Sequence, residues 1–180
     1  MEYMCAYKTC PGHTEPCVFS EADMNNGLGH RTICPMGEDE NILEFSRDNT
    51  FFCLIVGTRT YNDYDTFVKI VDKVLSSKSD QKIVIVSGGA NGADHFAEKY
   101  AKEKRYHAVV FEAEWERLGK KAGPVRNEQM HKFIAQFPNR GVIAFWNGKS
   151  RGTATNFPLS REYGNQVRVY NYTDHTFSAG

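Results

Sequence analysis

Two rhythms of hydrophobic and polar positions alternate along the chain from about residue 50. FFCLIVG (51–57) is a continuous apolar run closed by glycine, the pattern of a strand buried on both faces. DTFVKIVDKVLSS follows with Phe67, Ile70, Val71, Val74 and Leu75 at helical spacing, and Asp65 is the candidate N-cap. KIVIVSGG predicts a second buried strand. ADHFAEKYAKEKR predicts a second amphipathic helix, with Phe96, Ala97, Tyr100 and Ala101 on one face. HAVVFEA is a third strand and PVRNEQMHKFIAQF a third helix, with Pro124 suited to its first turn. GVIAFW is a fourth strand, GTATNFPLSREYG a helix interrupted near Pro158, and QVRVYNY a fifth strand.

Strict alternation of strand and helix makes parallel pairing with right-handed crossovers the economical topology. The expected fold is α/β: a Rossmann-like three-layer parallel sheet, with a cysteine-bearing N-terminal segment packed on it. The composition divides the chain in the same way. Residues 1–48 hold four of the five cysteines and irregular stretches such as PGHTEP, NNGLGH and PMGEDE, and residues 49–180 carry the alternating strands and helices of the Rossmann-like domain.

Charge narrows the function. Lys plus Arg equals Asp plus Glu at 22 each, and a net charge of zero argues against a general binder of nucleic acid, which carries a basic excess. The longest apolar run, FFCLIV, falls far short of a membrane span. No basic-then-apolar segment opens the chain, so the cytosol is the expected location.

In that compartment clustered cysteines point to metal before disulfides. Cys5, Cys10, Cys17 and Cys34 are spaced x4, x6 and x16, and four thiolates would make a structural zinc site with no open position for water. His13 or His30 is a substitute for one sulfur; free thiols and disulfides are the other readings. Cys53, inside the first strand, reads as a small buried hydrophobe.

Ligands of an open parallel sheet sit outside the carboxyl ends of its strands. The segments following the strands are GTRTYND, SGGANGAD, EAEWERLGKKAGPVRN and WNGKSRGT. In the second, Ser87, Gly88, Gly89, Ala90, Asn91 and Gly92 run into a helix start, where bare backbone and free amides suit a phosphate. A glycine turn that serves packing alone is the plain alternative for this one segment. Four such segments in matching positions favour an anion. Gly57, Thr58 and Arg59 follow the first strand; Gly148, Lys149, Ser150, Arg151, Gly152 and Thr153 follow the fourth. Lys120, Arg126 and Asn127 stand before and in the third helix, and Arg59 and Arg126 offer guanidinium forks. Trp115 is either a stacking platform for a base or a core or lid residue. Asp94 either bonds ribose hydroxyls or caps its helix.

GTRTYND, SGGANGADHFAEKYA, W-x-x-x-G-K-x-A-G-P-x-R-N-x-x-M (Trp115 to Met130) and W-N-G-x-S-x-G-T, in this order and spacing, resemble the YspA-type branch of the SLOG superfamily. The resemblance covers roughly residues 50–170. That superfamily groups Rossmann-like domains similar to the DNA-processing protein DprA and to the lonely-guy enzymes. It implies a cleft for nucleotide-derived molecules, ADP-ribose-like or nucleoside-monophosphate-like, with the glycine motifs on phosphate. It also implies pairing into a homo-oligomer. No single reaction follows from it. The expected function is therefore a sensor or sequestering protein for such a ligand, in a bacterial or a phage defence setting. The other reading is a hydrolase of its N-glycosidic or phosphoester bond.

The lonely-guy phosphoribohydrolases use an Arg in R-K-x-x-M and a Glu in P-G-G-x-G-T-x-x-E. Arg126 in RNEQM matches the first, but GKSRGTATN puts Asn156 where the Glu would stand. A carboxylate stabilises the oxocarbenium-like state and activates water, and Asn does neither. Hydrolysis would then need another acid, with Asp94, Glu114 and Glu128 the candidates.

Overall fold

The computed structural model describes residues 30–33 and 49–180. Cys5, Cys10, Cys17, Cys34 and His13 lie outside the described residues. Among the described residues seven strands form one sheet in the order β1-β4-β3-β2-β5-β6-β7. They are β1 (His30–Ile33), β2 (Thr50–Gly57), β3 (Lys82–Ser87), β4 (His107–Phe111), β5 (Arg140–Trp146), β6 (Val167–Asn171) and β7 (Thr176–Ala179). The five inner strands pair in parallel, and β1 and β7 close the edges antiparallel to β4 and β6. The parallel strands are the five expected; the two edge strands are additional.

Alternate residues of β2 explain why its whole length is apolar. Phe51, Cys53 and Ile55 face one core, with Phe67, Val71 and Leu75 of α1 (Tyr64–Leu75) and Ala97 and Tyr100 of α2 (Ala93–Lys104). Phe52, Leu54 and Val56 face the other, with Met130, Phe133 and Ile134 of α4 (Ala122–Ile134), which follows the one-turn helix α3 (Trp115–Leu118). A strand sandwiched between helices has no polar face to show. Three layers follow. Burial pushes the Cys53 thiol up to about 12, so it stays protonated and behaves as a small apolar side chain.

Two local expectations shift. The cap of α1 is Asp63, not Asp65: its carboxylate accepts from Thr66 N–H at 3.0 Å, and Asp65 lies inside the first turn. The helix after β5 breaks at Thr155, giving α5 (Arg151–Ala154) and α6 (Asn156–Glu162). Pro158 sits within the first turn of α6, where its missing N–H costs nothing, and the discontinuity falls one turn upstream, beside the carbonyl that proline cannot serve. Among the described residues no helix is long and apolar enough to cross a membrane.

Candidate functional site

The turn between β3 and α2 is shaped by an arginine and a neighbouring backbone. Gly88 does not take a positive φ, and its lack of a side chain serves space. A Cβ there would collide with the Arg126 guanidinium and come within 2.8 Å of Asp94 Oδ2. Gly92 needs both space and conformation: φ is +77°, and a Cβ would press into the Thr58 and Arg59 carbonyls of the turn after β2. The two turns are thus held against each other, main chain to main chain. Gly92 is also the N-cap of α2 and offers no side chain to its orphan amides.

Arg126, nine-tenths buried on α4, crosses beneath this turn. Its Nη1 donates to the Gly88 carbonyl, and its Nε donates to Asn127 Oδ1 at 3.2 Å. Asp94, buried in the first turn of α2, lies with Oδ2 3.8 Å from Arg126 Nη1. The same oxygen accepts from Ala90 N–H at 3.4 Å. Asp94 therefore neither caps α2 nor lines the open cavity; it ties the glycine turn to Arg126. Burial pushes the Asp94 carboxyl up to about 6, against the pull of Arg126 and of the Ala90 and Gly88 amides. Burial likewise draws the Arg126 guanidinium below its usual value, with Arg59 adding to the effect and Asp94 opposing it.

A hollow of about 340 Å³ opens above this pair at the carboxyl edge of β2, β3 and β4. Arg59 and Arg126 both line it, together with the turn Gly88–Asn91, Glu112, Ala113 and Trp115. The Arg59 guanidinium lies 5.4 Å from the centre of the Trp115 ring, which is 49% exposed. Glu112 and Ala113, at the end of β4, are cavity residues that the motifs do not single out. A signal exists in the chain, since they open the segment after the third parallel strand.

The remaining predicted residues do other work. Gly57 packs against Ala93 and Phe145. Thr58 donates its backbone N–H to the Phe145 carbonyl at 2.9 Å, stitching β2 to β5. Ser87 is buried, and Lys120 is exposed away from the lining. Asn127 donates to Gly152 O at 3.3 Å and Thr155 Oγ1 at 2.9 Å, fastening α4 to the turn after β5. That turn is self-contained. Asn147 Oδ1 accepts from Lys149 N–H at 3.0 Å and Ser150 N–H at 2.7 Å, while Ser150 Oγ accepts from Thr153 N–H at 3.4 Å. Gly148 has φ +72°, and Gly152 has open space around it. Neither they nor Lys149, Ser150, Arg151 and Thr153 line the hollow. Three of the four turns converge on it; the fourth stands aside.

The candidate acids are also placed. Asn156 is buried, donating to the Gly152 and Thr153 carbonyls at 3.2 Å each and accepting from His131 Nε2 at 3.2 Å. Burial holds His131 down at about 4, so the ring is neutral and this amide is structural. Glu114 is bound by Arg117, whose hydrogen bonds hold its carboxyl below the usual range. Glu128 accepts from Tyr163 Oη at 3.2 Å. The carboxylate that lines the hollow is Glu112.

A doubly wound parallel sheet carrying a glycine turn and paired guanidinium groups at its carboxyl edge defines a Rossmann-like α/β protein. The chain belongs to the YspA, cpYpsA-related SLOG family, whose model matches residues 53–118. It is 35% identical over 105 residues to the Gene 61 protein of Mycobacterium phage D29, covering 56% of this chain and 80% of that protein. Among solved structures it is similar to DNA processing protein A from Helicobacter pylori. That likeness has a TM-score of 0.47 and 18% identity, over 80% of this chain and 81% of the other.

Proposed function

We propose that this protein binds a phosphate-bearing, nucleotide-derived small molecule in the hollow above β2, β3 and β4, as a sensor or a sequestering protein. The observation that carries the reading is the convergence of Arg59, Arg126 and the Gly88–Asn91 turn on one cavity. Guanidinium groups and backbone amides at a helix N-terminus are complementary to phosphate oxygens. The volume falls in the range of small-molecule sites, roughly 300–1,000 Å³. Trp115 gives a flat, exposed ring at the rim for a base to stack upon.

Binding without turnover is favoured by the acids. Asn156 is committed to the buried network around His131, and Glu114 and Glu128 have partners of their own. Glu112 keeps a carboxylate at the cavity, so product analysis belongs in the test. Purified protein is heated with AMP, ADP-ribose, inorganic phosphate or a single-stranded oligonucleotide. The nucleotide-derived molecules raise Tm, and Arg59→Ala, an exposed substitution, removes the shift while leaving the unliganded Tm in place. No shift with any nucleotide, or a shift with the oligonucleotide alone, overturns the proposal. Free base or ribose phosphate in the chromatogram replaces the binder with a hydrolase. The same reading includes a homo-oligomer and a structural zinc held by Cys5, Cys10, Cys17 and Cys34.

A further inference from the structure

We propose that Asp94 is a positioning residue that makes ligand binding at this site proton-coupled: the protein takes up a proton at Asp94 when an anion occupies the hollow. The inference rests on the binding reading above and concerns the same site. It starts from an arrangement in which the protein supplies its own anion. Asp94 Oδ2 stands 3.8 Å from Arg126 Nη1 and 3.4 Å from the Ala90 amide, so one carboxylate already draws on two of the groups that face the cavity. Arg126 is held from two further sides, by the Gly88 carbonyl and by Asn127 Oδ1, and has little freedom to move toward a ligand and away from Asp94. Among the described residues its Nη2 has no hydrogen-bond partner, which leaves it donors for an incoming phosphate.

Two anions then share one guanidinium. With Arg126 at 9% exposure and Asp94 at 3%, water screens the repulsion between Asp94 and a bound anion poorly. The charged groups that face Asp94 are few: Arg126 on α4 and, one turn along α2, the carboxylate of Glu98; Arg59 and Glu112 line the hollow beside Arg126. Arg59 takes part of a ligand's charge from its own place at the hollow, but neither it nor Glu98 relieves the competition of two anions for Arg126. Protonating Asp94 does, because the neutral acid gives up the Coulombic pull on Arg126 and leaves it to the ligand. Burial has already placed this carboxyl near neutrality, at about 6. A bound anion raises it further, and the proton comes from solvent.

The sign is definite. Affinity is highest below the Asp94 value of the free protein, falls as pH rises through the higher value of the complex, and is level above it. ADP-ribose is the probe of choice, because its diphosphate diester has no proton that titrates near neutrality and so adds no slope of its own. Titration calorimetry at pH 7 in buffers of different ionisation enthalpy reads the proton directly, and net uptake of a fraction of a proton is expected. Affinity for ADP-ribose falls about tenfold between pH 5.5 and 8, because each pH step by which the bound anion raises the Asp94 carboxyl is worth a factor of about ten in binding. Asp94→Asn flattens that profile and abolishes the uptake, a change that loss of structural support alone does not produce. If the variant fails to fold, the buffer series on the unaltered protein still decides. Binding with no proton uptake and a level pH profile overturns this inference and leaves the binding reading standing. Absence of binding by both ADP-ribose and AMP at every pH overturns both.

Discussion

Gly88→Ala tests the central geometry, because the added methyl has one place to go and Arg126 occupies it. Gly88 does not take a positive φ, so the left-handed strain that alanine meets elsewhere is absent and the steric effect dominates. The guanidinium must retreat, losing its bond to the Gly88 carbonyl and its approach to Asp94. A hydrogen bond to a charged group is worth about 1.5–3 kcal/mol, and leaving a buried charge without its partner costs about 3–5 kcal/mol. The two losses overlap, so about 4 kcal/mol is expected, or a fall in Tm on the order of 10 °C for a chain of this size. Arg126→Ala removes the same contacts and should cost about as much. The double variant is the discriminating one. With the guanidinium gone, the methyl has only Asp94 Oδ2 at 2.8 Å to displace, and the total should stay near 5 kcal/mol instead of about 8. Urea denaturation of the four proteins at pH 7 measures the coupling of about 3 kcal/mol. Additive costs, or a Gly88→Ala cost under about 1 kcal/mol, refute the claim that this glycine exists to seat an arginine.

The pH dependence of stability offers a second test, since Asp94 and His131 act in opposition. Asp94 is pushed up to about 6 in the fold, so its contribution to stability is present below the unfolded value of 3.8 and is lost as pH rises through 6. His131 is held down at about 4 from 6.5, so its contribution grows as pH rises across that interval. The unaltered protein should be nearly level between pH 4 and 6, and Asp94→Asn should reveal a rise of about 1.4 kcal/mol per pH unit in the unfolding free energy from urea titrations; a level variant refutes the assignment. Asn156→Ala strands the buried His131 Nε2 and takes one donor from the Gly152 and Thr153 carbonyls, and should cost about 2 kcal/mol by denaturation, whereas Asn156→Glu should not create hydrolysis of AMP detectable by chromatography. Elemental analysis of protein purified without chelator should return about one zinc per chain, as four thiolates require. A chain free of zinc ends that proposal.

The alternation of fully apolar runs with helical periods was enough to define five parallel strands and the helices between them. A strand between two helical layers must be apolar on both faces, and β2 through β6 largely obey. The edge strands were not legible. HRTI in β1 is too short for a period to emerge, and the pairing of β1 with β4 is a long-range choice. In β7 only Phe177 is even half-buried, and its hairpin depends on Asp174 accepting from Thr176 and on His175 at φ +56°. Side-chain chemistry of that kind looks like ordinary loop composition until it is folded.

At the site, the kinds of residue were readable and their roles were not. The glycines of SGGANGAD and the arginines at positions 59 and 126 were legible as bare backbone and guanidinium groups following consecutive strands, and the structure brings them to one hollow. Which turns share the hollow was decided by strand order: β2, β3 and β4 lie side by side, while β5 joins β2 from the opposite flank. That is why the turn after β5, equally rich in glycine and cations, stands outside the cavity, and why Glu112 stands within it. Asp94 and Asn156 make the same point more sharply. From the chain alone each is a polar residue near a helix start with several possible employments. Burial and the distance to Arg126 or His131 assign each to one, because an uncompensated polar group in the interior must take the partner that packing brings within reach.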